Sequence, residues 1–87
     1  MSYWLDFEIR INIGTSVSIP RVMKEVFGDY EGTLNHECIL EVYDTWSVSI
    51  CESGTESLYK LGVLMERIKA RDPKINVVFE IKSLTLY

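Results

Sequence analysis

The sequence predicts one small α+β domain with its elements in the order β-α-β-β-α-β. Three observations support this order. Apolar residues alternate with polar ones near both ends of the chain, over Tyr3–Ile13 and Ile75–Ile81, as they do in half-buried strands. Two other segments carry apolar residues at helical spacing, and two further alternating segments lie between them. Since 87 residues leave room for a single core, we expect one domain over residues 1–87.

The first half of the chain predicts a strand, a short helix and a loop. The helix is expected to begin after Ser18, to carry Pro20 in its first turn and to end at Gly28. The segment Asp29–Asn35 is expected to be an acidic loop. The core face of the first strand would hold Tyr3, Leu5, Phe7, Ile9, Ile11 and Ile13.

The middle of the chain predicts a hairpin with its turn near Asp44-Thr45. Opposite residues of an antiparallel pair share a face, and the apolar positions on both strands are even-numbered. The loop must therefore hold an odd number of residues, and three residues fit. The inward positions would be Cys38, Leu40 and Val42 on one strand and Trp46, Val48 and Ile50 on the other.

The last part of the chain predicts a long helix and a final strand. Ser53-Gly54-Thr55-Glu56 has the form of a capping box, and Asp72-Pro73 would end the helix. The apolar alternation slips at Ser83, which predicts a bulge there or a tail that pairs elsewhere. Two helical crossovers and one hairpin favour the ferredoxin-like fold, a four-stranded antiparallel sheet with two helices on one face.

Charge is distributed unevenly along the chain. From Glu25 to Tyr59 there are eight acidic residues and no Lys or Arg, whereas the flanks carry nine basic residues against five acidic ones. The middle thus contributes −8 and the flanks +4. This asymmetry predicts a partner with a basic surface. The expected open sheet face lacks the basic surroundings of RNA-binding domains of this topology, so direct binding of nucleic acid is not expected.

The function that this charge favours is non-enzymatic. We expect a small acidic inhibitor or immunity-type protein, of the kind used by phages or bacteria against a defence system, that occludes a basic surface of another protein. Its carboxylates would imitate a nucleic acid, and an aromatic residue would supply an apolar anchor. The residues expected to bind the partner are Glu31, Glu37, Glu41, Tyr43, Asp44 and Glu52.

A second function from a different class stays open. The outward face of the first strand carries Trp4, and the outward face of the hairpin carries Ile39 and Tyr43. Large apolar side chains on a nominally exposed sheet face are typical of interface cores. The chain would then be a regulatory or structural homodimer that associates through its open face, with or without a small-molecule ligand.

The sequence offers little for catalysis or metal binding. Cys51 precedes the second helix, whose dipole could activate a thiol, but the adjacent Glu52 opposes a thiolate. His36, Glu37 and Cys38 are consecutive, so their side chains point to opposite faces of a strand and cannot share an ion. No phosphate-loop or dinucleotide motif is present. We expect no cofactor, no metal and no enzymatic activity.

The expected location is the cytoplasm. The chain has only two cysteines, too few for a disulfide scaffold and consistent with a reducing compartment. Its first residues lack the basic and apolar regions of a signal peptide. No apolar run approaches the roughly 18 residues that a membrane helix needs, so membrane association is not expected.

Overall fold

A computed structural model of the protein describes residues 2–39, 42–53 and 56–86. These residues form four strands and two helices in the predicted order. The elements are β1 (Ser2–Asn12), α1 (Ile19–Phe27), β2 (Glu31–Ile39), β3 (Tyr43–Ser53), α2 (Glu56–Arg71) and β4 (Val77–Leu86).

The four strands form one antiparallel sheet in the order β2-β3-β1-β4. This arrangement confirms the ferredoxin-like fold. The odd-numbered residues of β1 and the even-numbered residues of β3 face both helices, and we call this the helix side of the sheet. The opposite side, which no helix covers, is called the open face. The core includes Leu5, Phe7, Ile9, Ile11, Val48 and Ile50 from the sheet and Ile19, Val22, Met23, Leu64 and Ile68 from the helices.

Strand β2 begins earlier than its sequence predicts. The expected loop over Asp29–Asn35 is wrong from Glu31 onward, where the chain already pairs with β3. At Gly32 the two strands lie so close that a Cβ atom there would be 2.0 Å from the carbonyl oxygen of Ser49. The segment resembles a loop because it is polar, but an edge strand with exposed side chains needs no apolar alternation.

The hairpin turn has the predicted length but not the predicted place. Three residues separate the paired Ile39 and Tyr43, and the even-numbered Leu34 lies opposite the even-numbered Val48. The turn near Asp44-Thr45 is wrong, because both residues lie within β3. Asp44 contacts His36 and Thr45 is buried on the open face, so polarity at these positions does not mark a turn.

The predicted inward residues of the hairpin are only partly in the core. Those of β3 are confirmed, with Trp46 half-buried beside two fully buried neighbours. Those of the preceding strand are wrong: Cys38 is exposed on the helix side, and Val42 is exposed in the turn. Leu40 lies outside the described residues. This end of the hairpin is not covered by the helices, so its apolar residues stay in contact with solvent.

The remaining boundaries largely follow the sequence. Helix α1 begins after Ser18, whose side chain makes no capping hydrogen bond, and ends at Gly28 with φ +66°. Ile13, expected in the core, instead lies exposed in the turn after β1. The predicted capping box before α2 falls largely outside the described residues. No helix in the described ranges is long and apolar enough to cross a lipid bilayer.

A bulge in β4 accounts for the slip in its apolar alternation. Asp6 pairs with Ser83, whereas the next residue of β1, Phe7, pairs with Ile81. Lys82 is therefore the extra residue. The bulge returns Leu84 to the helix side, as expected from a two-residue period interrupted once.

Candidate functional site

The open face is a continuous polar surface across all four strands. Small hydroxyl-bearing residues occupy its middle, and charged residues occupy the flanking strands. No described helix or loop covers it. By register, it comprises Glu31, Thr33, Asn35 and Glu37 on β2, Tyr43, Thr45, Ser47, Ser49 and Cys51 on β3, Trp4, Asp6, Glu8, Arg10 and Asn12 on β1, and Val78, Glu80, Lys82, Ser83 and Thr85 on β4.

The open face is acidic. It carries five carboxylates and two cations, a net charge of −3 among its described residues. Glu31 and Glu37 lie exposed on the edge strand β2, about 20 Å apart at 3.3 Å per residue. A rigid sheet therefore presents carboxylates at fixed spacing. The charged residues are Glu31, Glu37, Asp6, Glu8 and Glu80, with Arg10 and Lys82.

Hydrogen bonds hold one of these carboxylates in its ionised form. The hydroxyl of Ser83 donates to Oδ2 of Asp6 at 2.7 Å. Hydrogen bonds from Ser49 and from Ser83 lower the pKa of Asp6, because both stabilise the charged carboxylate. Asp6 therefore stays negative in moderately acidic solution.

The cation of β4 is engaged by two neighbouring carboxylates. The Nζ atom of Lys82 lies 3.2 Å from Oε1 of Glu80 and 3.6 Å from Oε2 of Glu8. The hydrogen bond with Glu80, together with the nearby charge of Glu8, raises the pKa of Lys82. Since all three side chains are partly exposed, the group fixes the pattern of charge more than it stabilises the fold.

A shallow depression of about 210 Å³ lies between these charged groups. Hydroxyl and amide side chains of β2 and β3 line one side of it, and Asp6, Glu8 and Lys82 of β1 and β4 line the other. Such a surface offers hydrogen-bond acceptors to a Lys or Arg side chain that enters from solvent. The hydroxyl and amide residues of this lining are Thr33, Asn35, Ser47 and Ser49.

The residues predicted to bind a partner are divided between the two sides of the sheet. Glu31, Glu37 and Tyr43 lie on the open face. Asp44 and Glu52 lie on the helix side, so the expected single set is wrong for these two. Glu41 lies outside the described residues.

Asp44 belongs to a small cluster at the uncovered end of the hairpin. Its Oδ1 atom lies 2.8 Å from Nε2 of His36, and the His36 ring stacks on Trp46 with centroids 4.3 Å apart. His36 lies within β2, opposite Trp46 of β3. The cluster satisfies the Asp44 carboxylate within the chain, which leaves it less available to a partner.

Two further acids of the middle segment are also paired within the chain. Glu52 lies 3.2 Å from Nζ of Lys60 at the start of α2. Glu25 on α1 accepts hydrogen bonds at 2.6 Å and 2.5 Å from Arg71 on α2, which lower its pKa. The acidic segment of the sequence therefore does not form one continuous patch.

Apolar side chains are exposed at one end of the sheet, around Tyr43 of the open face. Tyr43 is 46% exposed, and its neighbours Ile13 and Val42, joined by a 3.3 Å backbone hydrogen bond, are exposed to a similar degree. We call these three residues the apolar tip. Trp4 is half-buried near the other end of the sheet, where it pairs with Cys51 of β3. Cys51 is eight residues along β3 from Tyr43, so Trp4 and Tyr43 are about 26 Å apart.

The two cysteines lie on opposite sides of the sheet. Cys51 is half-buried on the open face, and Cys38 is exposed on the helix side. Within the described ranges, His, Cys, Asp and Glu residues form no group of three that could hold a metal ion. Ile39, proposed from the sequence as an interface residue, is paired with Tyr43, but its side chain lies outside the described part.

Thr45 is the one buried polar side chain of the open face that lacks a hydrogen-bond partner among the described residues. It is 4% exposed, between Arg10 and Glu37 on the neighbouring strands. A buried hydroxyl without a partner costs about 1–3 kcal/mol. We expect Thr45→Val to raise the free energy of unfolding by about 1 kcal/mol, measured by urea denaturation.

The control for this prediction is Thr33→Val on the adjacent edge strand. Thr33 is exposed, so its hydroxyl is hydrated in both the folded and unfolded states and its loss should change stability little. Destabilisation by Thr45→Val would show that the hydroxyl has a partner, such as an ordered water.

Three carboxylates of the open face come from outside the acidic segment. Asp6, Glu8 and Glu80 lie on the two strands formed by the ends of the chain. The alternation of β1 and β4 already places them on the outward face. Their contribution depends on the sheet order, which places β1 between β3 and β4.

The likeness to solved structures defines the class of fold. The de novo designed protein LFR1 1 with ferredoxin fold superposes with a TM-score of 0.62 at 14% identity, over 92% of this chain and 85% of the design. The de novo designed protein Foldit4 gives 0.58 at 16% identity, over 92% and 97%. The chain is thus a ferredoxin-like domain.

A natural protein also shares this fold. The ACT domain from the GTP pyrophosphokinase of Chlorobium tepidum superposes with a TM-score of 0.57 at 13% identity, over 94% of this chain and all of that domain (100%). No known protein family and no curated protein matches the sequence. At such low identity the likeness concerns the fold, and function has to be argued from the open face.

Proposed function

We propose that this protein is a non-enzymatic inhibitor of immunity type that covers a basic surface on another protein with the open face of its sheet. The observation that carries the proposal is the uncovered open face, with five carboxylates against two cations. A basic partner gains favourable electrostatic complementarity there, which speeds association and excludes acidic competitors. A basic channel that binds nucleic acid is one surface of this chemistry.

The apolar tip supplies what charge alone lacks. Interfaces take most of their binding energy from a few large side chains that become desolvated, and tyrosine is enriched among them. Tyr43 is exposed on the same face as Glu37, and Ile13 and Val42 flank it. We assign Tyr43 the role of anchor and assign Glu31 and Glu37 the role of pairing with Lys or Arg of the partner.

The same charges argue against the alternative homodimer through the open face. Two copies joined there would bring five carboxylates of one against five of the other, and like charges across an interface are unfavourable. The apolar residues around which that dimer was expected, Trp4 and Tyr43, lie at opposite ends of the face. They form no single apolar centre for self-association.

The experiment compares two variants with equal changes of charge. Glu31→Lys/Glu37→Lys reverses two exposed charges on the open face, whereas Asp29→Lys/Glu66→Lys reverses two exposed charges outside it. Tagged wild type and both variants capture proteins from lysate, elution proceeds in steps of salt, and mass spectrometry identifies what is bound. We expect a basic protein that the wild type and the Asp29/Glu66 variant retain and the Glu31/Glu37 variant loses.

The captured protein is then purified and titrated by calorimetry at several salt concentrations. The open-face variant should bind at least about tenfold more weakly. The affinity of the wild type should fall as salt is added, because the Debye length, the distance over which charges interact, shortens from ~10 Å at 0.1 M to ~3 Å at 1 M. Tyr43→Ala should weaken binding while preserving its dependence on salt. Equal binding by both charge variants would mean that net charge, not this face, selects the partner, and would contradict the proposal.

A further inference from the structure

The outer edge of β4 is an unpaired strand edge. β4 pairs with β1 along one side, and in the described ranges no backbone hydrogen bond from β4 reaches any other segment. The strand runs for ten residues, Val77–Leu86. Its outward backbone groups can therefore pair with another strand, because the unpaired N–H and C=O groups of a long edge are a template for strand addition.

Apolar side chains accompany this edge. On the helix side, Ile81 is 54% exposed and Leu84 is 46% exposed, because the helices do not extend over the edge of the sheet. A strand added beside β4 would cover both. Residues of this type at an exposed edge favour association, because their burial stabilises the added strand pair.

The charges of the edge are self-complementary. Glu80 and Lys82 flank Ile81, and both lie on the open face. In an antiparallel pair of two copies centred on Ile81, each Glu80 lies opposite Lys82 of the other copy. Four charges then alternate in sign around the two-fold axis, which is the isologous arrangement of a symmetric dimer.

The other edge of the sheet lacks this property. Self-pairing of β2 about its central residue, Asn35, would place Glu31 opposite Ile39 and Glu37 opposite Thr33 of the second copy. β2 carries no Lys or Arg, so neither carboxylate would meet an opposite charge across the pair. Charge thus favours β4 over β2.

We propose that the partner for the outer edge of β4 is a second copy of this chain, paired antiparallel about Ile81. The two sheets would then form one eight-stranded sheet with both open faces on the same side, so the open face stays accessible. The bulge at Lys82 limits regular pairing to a short stretch, so the dimer is weak and dissociates on dilution. This proposal is independent of the inhibitor function.

The test uses a charge exchange between two single variants, measured by sedimentation equilibrium over a concentration series. Glu80→Lys places lysines opposite lysines, and Lys82→Glu places glutamates opposite glutamates. Each variant alone should raise the dimer dissociation constant by about tenfold. An equimolar mixture should restore dimerisation, because in the mixed dimer every pair across the axis is again of opposite sign.

Glu37→Lys on the edge strand β2 is the matched control and should leave the dissociation constant unchanged. Circular dichroism establishes that each variant is folded. Ile81→Lys, at an exposed position, should abolish the dimer while the monomer stays folded. A wild type that is monomeric at every concentration, or single variants that the mixture does not rescue, would overturn the proposal.

Discussion

Gly32→Ala is expected to lower the free energy of unfolding by at least about 3 kcal/mol. The new Cβ atom would lie 2.0 Å from the carbonyl oxygen of Ser49 and 2.9 Å from Cα of Ile50. Both atoms belong to the backbone of β3, so no side-chain rotation can relieve the clash. The φ of +154° at this position adds strain for any residue with a side chain.

The magnitude matters because the domain is small. A chain of this size has a total stability of roughly 4–13 kcal/mol, so a loss of this order leaves a substantial unfolded population. Urea denaturation followed by circular dichroism measures the change. The edge strand β2 would have to separate locally from β3, so we also expect faster amide hydrogen exchange along β2.

Gly62→Ala is the matched control for this substitution. Gly62 lies on α2, is exposed and has no atom within 4 Å of its hypothetical Cβ. Alanine at a helical position of this kind stabilises by about 0.5–1 kcal/mol. The same chemical change should therefore have opposite signs at the two positions. Similar stability for Gly32→Ala and wild type would show that β2 does not approach β3 as described.

Phe7→Ala is expected to cost about 3–5 kcal/mol. Phe7 is 1% exposed on the central strand β1, and its ring stacks on Phe79 of β4 with centroids 6.3 Å apart. Truncation leaves a cavity between the sheet and the helices, which rigid strand pairing on both sides keeps from collapsing. Thermal and urea unfolding should both show the loss.

Val78→Ala is the control for the core substitution. Val78 lies on β4 beside the same part of β1 but is 58% exposed on the open face. It buries little surface, so its truncation should change stability by less than about 1 kcal/mol. If the two substitutions cost the same, the core would not lie on the side of the sheet that faces the helices.

The sequence predicts the fold best where one side of an element is buried. The alternation of β1 and β3 and the helical spacing of α1 and α2 reflect packing against a single core, and the even-numbered apolar positions predicted on both hairpin strands set the odd loop length. Where the hairpin extends past the helices, burial no longer distinguishes the two faces. The turn predicted near Asp44-Thr45 is wrong because both residues lie within β3, where their polarity does not mark a turn.

The candidate site was less predictable than the fold. The sign of its charge follows from composition, but the face on which each carboxylate lies depends on the sheet. Glu25 is paired with Arg71, 46 residues away in the sequence, and no local pattern indicates that contact. In contrast, the carboxylate of Asp6 joins the open face only because β1 lies beside both β3 and β4.

The pairing of β1 with β4 also brings the first and last strands of the chain side by side. Tyr3 lies opposite Leu86, so residues 83 positions apart in the sequence are neighbours, whereas β2 and β3 are joined by a three-residue turn. Pairing β1 with β4 therefore costs more chain entropy than pairing β2 with β3, although this cost grows only with the logarithm of the number of residues between the paired strands. A short connection across the β1–β4 pair would make that contact local too, and every strand pair but β1–β3 would then be a hairpin.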